Sequence, residues 1–181
     1  MSKKRLEGKV AIITGAGCVG KGWGNGRAAC VRFAEEGAAV FAVDIREDTM
    51  VETVARVHEV GGTVETYLCD VTSQDAVKSM VAACIERFGQ VDILVNNVGG
   101  SAKGGPADMD EATWDRQIEF NLKSVYLTSR AVLPHMAERG SGAIVNTSST
   151  SGMRWTGSAQ SAYAATKAAV IQFSKVVAVE Y

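Results

Sequence analysis

Short apolar runs rich in β-branched residues alternate along the chain with longer stretches whose apolar positions recur every three or four residues. The runs are "KVAIIT" (Lys9 to Thr14), "AVFAVD" (Ala39 to Asp44), "TVETYLC" (Thr63 to Cys69), "VDILVN" (Val91 to Asn96) and "GAIVNT" (Gly142 to Thr147). Their length and composition predict strands. The intervening periodicity predicts helices over about Asn25 to Glu36, Asp48 to Val60, Ser73 to Phe88 and Glu111 to Arg139, and a last one from Ser161 onward.

Local punctuation agrees with this division. Gly37, Gly61, Gly89 and Gly140 follow helices where a left-handed cap is wanted, and Ser73 precedes one as an N-cap. Pro134 is expected to kink the long fourth helix or to mark its last turns.

Strict alternation of strand and helix implies a parallel sheet in a doubly wound α/β fold. Right-handed crossovers then favour the strand order 3-2-1-4-5. The ligand crevice of such a sheet lies where the order reverses, beside the carboxyl ends of strands 1 and 4.

Composition narrows the class. With 181 residues, 46% of them hydrophobic and 22% charged, residues 1–181 are expected to form a single domain. A net charge of -1 supplies no cationic field for nucleic acid or anionic lipid. Only the short run Val10 to Ile13 follows the basic start "MSKKRLEGK", too little for a signal or membrane segment, so a cytoplasmic location is expected.

Cys18, Cys30, Cys69 and Cys84 lie far apart without a CxxC pair, and they read as reduced, mostly buried thiols with no metal role. His58 and His135 read as helix-surface residues.

The segment "TGAGCVGKGWGNGRAA" from Thr14 to Ala29 holds six glycines between the first strand and the first helix. Such a turn lets backbone N–H groups approach a pyrophosphate whose charge is favoured at the helix N-terminus. Two registers compete, because Gly15, Gly17 and Gly20 spell GxGxxG while Gly24 and Gly26 directly precede the helix. Only residues just ahead of the helix can place a phosphate on its first amides. Gly15, Gly24, Asn25 and Gly26 are therefore the candidate cofactor contacts, and Gly17, Gly20 and Gly22 are assigned to an enlarged bend.

Asp44 ends the second strand eighteen residues after Gly26, where a carboxylate accepts the adenosine ribose hydroxyls. Its charge opposes a 2'-phosphate and favours NAD. Lys21, Arg27 and Arg46 lie near the same end and are candidate phosphate partners, which keeps NADP as the alternative.

"SAYAATKAAV" places Tyr163 and Lys167 four residues apart on one helix face. A phenol ionises near pH ~10, and an ammonium at ~4 Å in an effective dielectric of ~20 contributes ~4 kcal/mol, or ~3 pKa units at most. Upstream, "IVNTSSTSG" puts Ser148 and Ser149 at the carboxyl end of the fifth strand, where a hydroxyl can meet a substrate oxygen.

With Thr14, Gly15, Gly24 and Gly26, then "NNVG" at Asn96 to Gly99, "NTSS" at Asn146 to Ser149 and "YAATK", the chain resembles the classical short-chain dehydrogenase/reductase family over essentially its whole length. The resemblance implies a Rossmann-like fold and hydride transfer between NAD(P) and a secondary alcohol or ketone. It implies that Tyr163 is the catalytic acid/base, that Lys167 lowers its pKa and holds the nicotinamide ribose, and that Ser149 orients the substrate oxygen. Asn121, in "EFNLKS", matches the asparagine that anchors a proton-relay water. Asp70 and Val71 are assigned to the adenine pocket, and Asn97 and Gly99 to the cofactor wall.

A small-molecule alcohol or ketone substrate and a dimeric or tetrameric homo-oligomer follow from the same likeness. Alternatives are an NADP-linked ketone or 3-oxoacyl reductase and a non-catalytic nucleotide-binding protein. Trp155 is the best substrate contact among the tryptophans, whereas Trp114 is expected in helix packing.

Three departures stand out. Eight residues, "AGCVGKGW", separate Gly15 from Gly24 where the family has three, and Val98 replaces a small residue. The chain ends at Tyr181 in the helix bearing Tyr163, where the family continues through two more strands and a substrate-covering segment. The domain is therefore expected to be C-terminally incomplete, leaving the fifth strand as an apolar edge that favours poor folding or association.

Overall fold

A computed structural model describes residues 4–181; the first three residues of the basic N-terminal stretch lie outside the described residues. The chain runs β1 (Val10–Thr14), α1 (Asn25–Glu35), β2 (Ala39–Asp44), α2 (Val51–Glu59), β3 (Thr63–Leu68), α3 (Gln74–Phe88), β4 (Ile93–Asn96), α4 (Glu111–Ile118), α5 (Ser124–Glu138), β5 (Ala143–Asn146) and α6 (Ser161–Glu180). A π-helical turn at Glu119–Lys123 joins α4 to α5, and a 3-10 turn at Thr150–Gly152 precedes α6.

All five strands are parallel in the order β3-β2-β1-β4-β5. Side chains alternate across a strand, so β1 sends Val10 and Ile12 to one face and Ala11 and Ile13 to the other. The first face packs with Phe41, Val43 and Leu94 against Val77, Met80 and Cys84 of α3 and Leu127 and Val132 of α5. The second packs with Val40, Ala42 and Val95 against Cys30, Val31 and Ala34 of α1 and Val57 of α2. Ile12, Ile13 and Leu94 are wholly removed from water, worth roughly 1.5–3 kcal/mol per side chain.

The amino end of the sheet is closed by the buried Asp92, which accepts from the Val10 amide at 2.8 Å, from Gln90 at 2.7 Å and from Arg139 at 3.3 Å. His135 also belongs here and not to a free helix surface, because its Nε2 accepts from the Val91 amide at 3.2 Å. Functional groups gather at the opposite, carboxyl edge. Thr14 Oγ1 ties the two central strand ends together there, donating to the Val95 carbonyl and accepting from the Asn97 amide, both at 3.2 Å.

The helix expected from Glu111 to Arg139 is continuous in direction but not in hydrogen bonding. Its irregularity falls at Asn121, while Pro134 marks the last turns of the helix as expected, α5 ending at Glu138. Asn121 Nδ2 donates at 3.2 Å to the Gln117 carbonyl, which its own backbone N–H would take in an α-helix. The side chain thereby sustains the π turn.

Helix ends follow their local chemistry. Gly37, Gly61, Gly89 and Gly140 all adopt positive φ, and Ser73 accepts from the Ala76 amide at 3.4 Å. β5 is paired on the β4 side alone among the described residues, and Val145 is half exposed on it. No helix among the described residues is long and apolar enough to cross a membrane.

Candidate active site

The glycine segment leaves β1 through Gly15, held at φ +63°, where a Cβ would lie 3.1 Å from Asn97 Nδ2 and 3.3 Å from Val98 Cγ2. Gly26 is required for the same reason from the other side, since a Cβ there would run into the Gly15 carbonyl oxygen. α1 begins at Asn25 with Gly24 as an N-cap that contributes no side-chain bond, and its first helical bond is Ala28 N–H to the Gly24 carbonyl. The amides of Asn25, Gly26 and Arg27 thus face the cradle without helical acceptors. A turn whose backbone packs too closely for a Cβ at Gly15 or Gly26, leading into an open helix N-terminus, suits a pyrophosphate.

Gly17 is more than part of an enlarged bend. Its amide donates to Asp44 Oδ2 at 2.9 Å, and a Cβ on it would collide with Thr49 Oγ1. The other carboxylate oxygen of Asp44 accepts the Arg46 amide at 3.2 Å. A carboxylate offers about four acceptor positions, so about two remain for a diol.

Two of the three cations named as phosphate partners are committed elsewhere. Arg27 is 2% exposed, with Nη1 on Glu52 Oε2 at 2.6 Å and Nε on Thr53 Oγ1 at 3.2 Å. Arg46 is paired with Asp48, Nε to Oδ1 at 3.0 Å. Lys21 alone of the three has no acidic partner among the described residues.

Asp70 lies exposed beyond β3 and accepts from the Thr72 amide at 2.9 Å and hydroxyl at 2.7 Å, while Val71 is buried beside it. Asn97 fixes the first turn by donating Nδ2 to the Gly15 carbonyl at 3.0 Å. A Cβ on Gly99 would lie 2.9 Å from Asn121 Oδ1 and 3.0 Å from Lys167 Nζ. Only a glycine at that wall leaves room for both groups.

α6 supplies Tyr163 and Lys167. Lys167 is 3% exposed, its Nζ donates to the Thr147 carbonyl at 2.7 Å, and the same Nζ lies 5.7 Å from the Tyr163 ring centroid. Burial pulls the Lys167 pKa below its usual value of 10.5. An ammonium has three donors, and no second acceptor for it occurs among the described residues.

Ser149 Oγ accepts from the Ser151 amide at 3.1 Å, capping the 3-10 turn and leaving its O–H free to donate. Ser148 has a role that sequence reasoning did not assign, donating to the Lys167 carbonyl at 2.7 Å. The turn is pressed against α6, because a Cβ on Gly152 would sit 2.6 Å from the Lys167 carbonyl carbon. Asn121, fully buried, holds Gly100 with Oδ1 on its amide and Nδ2 on its carbonyl, both at 3.0 Å.

Trp155 is 73% exposed and lines a cleft of about 290 Å³ with Arg154, Gln160 and Pro106. Trp114 is not packed away as expected but 41% exposed on α4.

A family model described as short chain dehydrogenase matches residues 9–181. The chain is 39% identical over 176 residues to a 3-oxoacyl-acyl-carrier-protein reductase of Thermotoga maritima, spanning 97% of this chain and 69% of that protein. The structure superposes with a TM-score of 0.97 and 57% identity on a short-chain dehydrogenase/reductase from Burkholderia xenovorans, covering 98% of this chain and 71% of that one. It matches NAD+-bound xylitol dehydrogenase with a TM-score of 0.90 and 33% identity, covering 98% and 66%. The curated relatives share the pattern of coverage, the chain spanning 62% to 69% of the first three. On this footing the chain belongs to the short-chain dehydrogenase family, whose members bind NAD(P).

Proposed function

We propose that this chain carries the cofactor-binding and proton-transfer residues of an oxidoreductase that interconverts a secondary alcohol and a ketone, with NAD preferred to NADP. The observation that carries this reading is the buried Lys167 ammonium, bonded to Thr147 and 5.7 Å from the Tyr163 ring.

The residues present fit a nicotinamide dinucleotide. Gly15, Gly24, Asn25 and Gly26 hold the pyrophosphate, Asp44 the adenosine ribose, Asp70 and Val71 the adenine side, and Asn97, Gly99 and Lys167 the nicotinamide half. When bound, the cofactor supplies the hydride acceptor or donor.

Tyr163 is the acid/base. In the reducing direction its O–H gives a proton to the carbonyl oxygen; in the oxidising direction the phenolate oxygen takes the alcohol proton. The Lys167 charge stabilises negative charge on that oxygen, an effect strengthened by exclusion of water. Ser149 donates to the same substrate oxygen and holds it within reach of Tyr163. Asn121 fixes the Gly100 backbone at the rear of the site and anchors the water through which protons leave. Positioning of this kind accounts for much of the rate.

NAD preference rests on Asp44. A 2'-phosphate at ~4 Å from its carboxylate, in an effective dielectric of ~20, is opposed by ~4 kcal/mol per unit charge. The cytoplasm is the compartment we assign, consistent with four free cysteines, and a homo-oligomer is the expected assembly.

The test is consumption of NADH or NADPH by the protein against a panel of ketones. Ketone-dependent NADH consumption is expected. Binding without turnover favours a non-catalytic nucleotide-binding protein, and faster NADPH consumption favours an NADP-linked reductase.

A further inference from the structure

The loop that lengthens the glycine segment is attached at both of its ends. Cys18 N–H donates to the Thr49 carbonyl at 3.2 Å, and Gly17 N–H to Asp44. At its far end the Gly22 carbonyl accepts from Arg27 Nη1. Arg27 itself is sunk between α1 and α2, bonded to Glu52 and Thr53, and Thr53 Oγ1 donates on to the Ala16 carbonyl at 2.9 Å. Outside, the Arg56 guanidinium stacks 4.4 Å from the Trp23 ring while bonding Glu52 Oε1 at 2.6 Å. One buried arginine therefore joins the loop, its preceding turn and the helix behind it.

We propose that this clamp sets cofactor preference: Arg27, acting through the loop, is a positioning residue that presses the Gly17 amide onto Asp44 and so fixes the carboxylate for a ribose diol. The proposal rests on the reading of Asp44 as the adenosine-ribose acceptor.

With one lone pair of each oxygen taken by a backbone amide, the Asp44 carboxylate is held from rotating away, and the unused positions stay matched to vicinal hydroxyls. Gly17 has no alternative residue in this arrangement, because Thr49 occupies the space its side chain would need.

The experiment compares dissociation constants for NADH and NADPH, by fluorescence titration, in the wild type and in Arg27→Met and Gly17→Ala. Loss of one hydrogen bond to a charged group predicts that the NADH preference falls about tenfold in each variant. General destabilisation weakens both cofactors alike and leaves the ratio unchanged, so the ratio is the decisive readout. If Arg27→Met does not fold, Glu52→Gln loosens the clamp from its half-exposed side and is expected to shift the ratio in the same sense. An NADH preference that survives in every folded variant overturns the clamp but leaves the assignment of Asp44 standing. A wild type that binds neither cofactor, or prefers NADPH, overturns that assignment and the clamp with it.

Discussion

The ε-ammonium of Lys167 lies 5.7 Å from the centroid of the Tyr163 ring, one helical turn away, and donates to the Thr147 carbonyl at 2.7 Å. A charge so buried is stabilised by few partners, so removing it is expected to be felt in binding as well as in turnover. Lys167→Met should weaken NADH binding about tenfold, the scale of a lost charged hydrogen bond, and abolish most turnover. Titration of NADH beside steady-state rates checks both; unchanged binding would remove Lys167 from the ribose site.

The glycine cradle makes a contrast testable within one loop. Gly26→Ala drives a Cβ into the Gly15 carbonyl and should cost ~1–3 kcal/mol in stability together with cofactor affinity. Gly20 has open space around it and ordinary φ, so Gly20→Ala should stay within ~0.5 kcal/mol of wild type. Urea unfolding of the two variants measures the contrast, and an equal loss in both would contradict it.

Much of this arrangement was legible in the chain because its causes are local. Apolar runs such as "VAIIT" are buried on both faces of a parallel sheet and need no long-range information, and Gly89 or Ser73 marks a helix end by its own geometry. Gly17 was not legible, since what makes it indispensable is Thr49 and Asp44, brought to it by the fold. Arg27 was misread for a related cause: at the start of a helix an arginine looks solvated, and only the packing of α2 against α1 buries it. The π turn at Asn121 left no mark on periodicity, because a single extra residue in one turn hardly shifts the apolar face.

Asn121 offers a test of that turn. Asn121→Ala strands the partly buried amide and carbonyl of Gly100 and the buried carbonyl of Gln117. A loss of ~1–3 kcal/mol is expected from unsatisfied polar groups, measurable by urea unfolding. A variant as stable as wild type would mean that the turn holds without its side chain.

Stability should decline in alkali for a reason set by three thiols. Burial pushes Cys30 and Cys84 up to about 12 and Cys69 up to about 11, from 9.0. The unfolded chain ionises these groups first, so the stability they lend is fully present below about 9 and is lost as pH rises toward 11 to 12. Lys167, lowered from 10.5 by burial, acts in the opposite sense over its own window and offsets part of the fall. Urea midpoints at pH 8 and 10 should differ measurably, and replacing Cys30 and Cys84 by alanine should flatten the slope. An unchanged slope would show that the thiols are not what alkali attacks.

The central claim, that Tyr163 carries the proton between protein and substrate, is tested by Tyr163→Phe with turnover and NADH binding measured side by side on the same preparation. Turnover should fall by about 10²–10⁴-fold, the usual contribution of a general acid/base, while NADH affinity stays at the wild-type value. A phenylalanine variant that turns over at the wild-type rate would contradict the account.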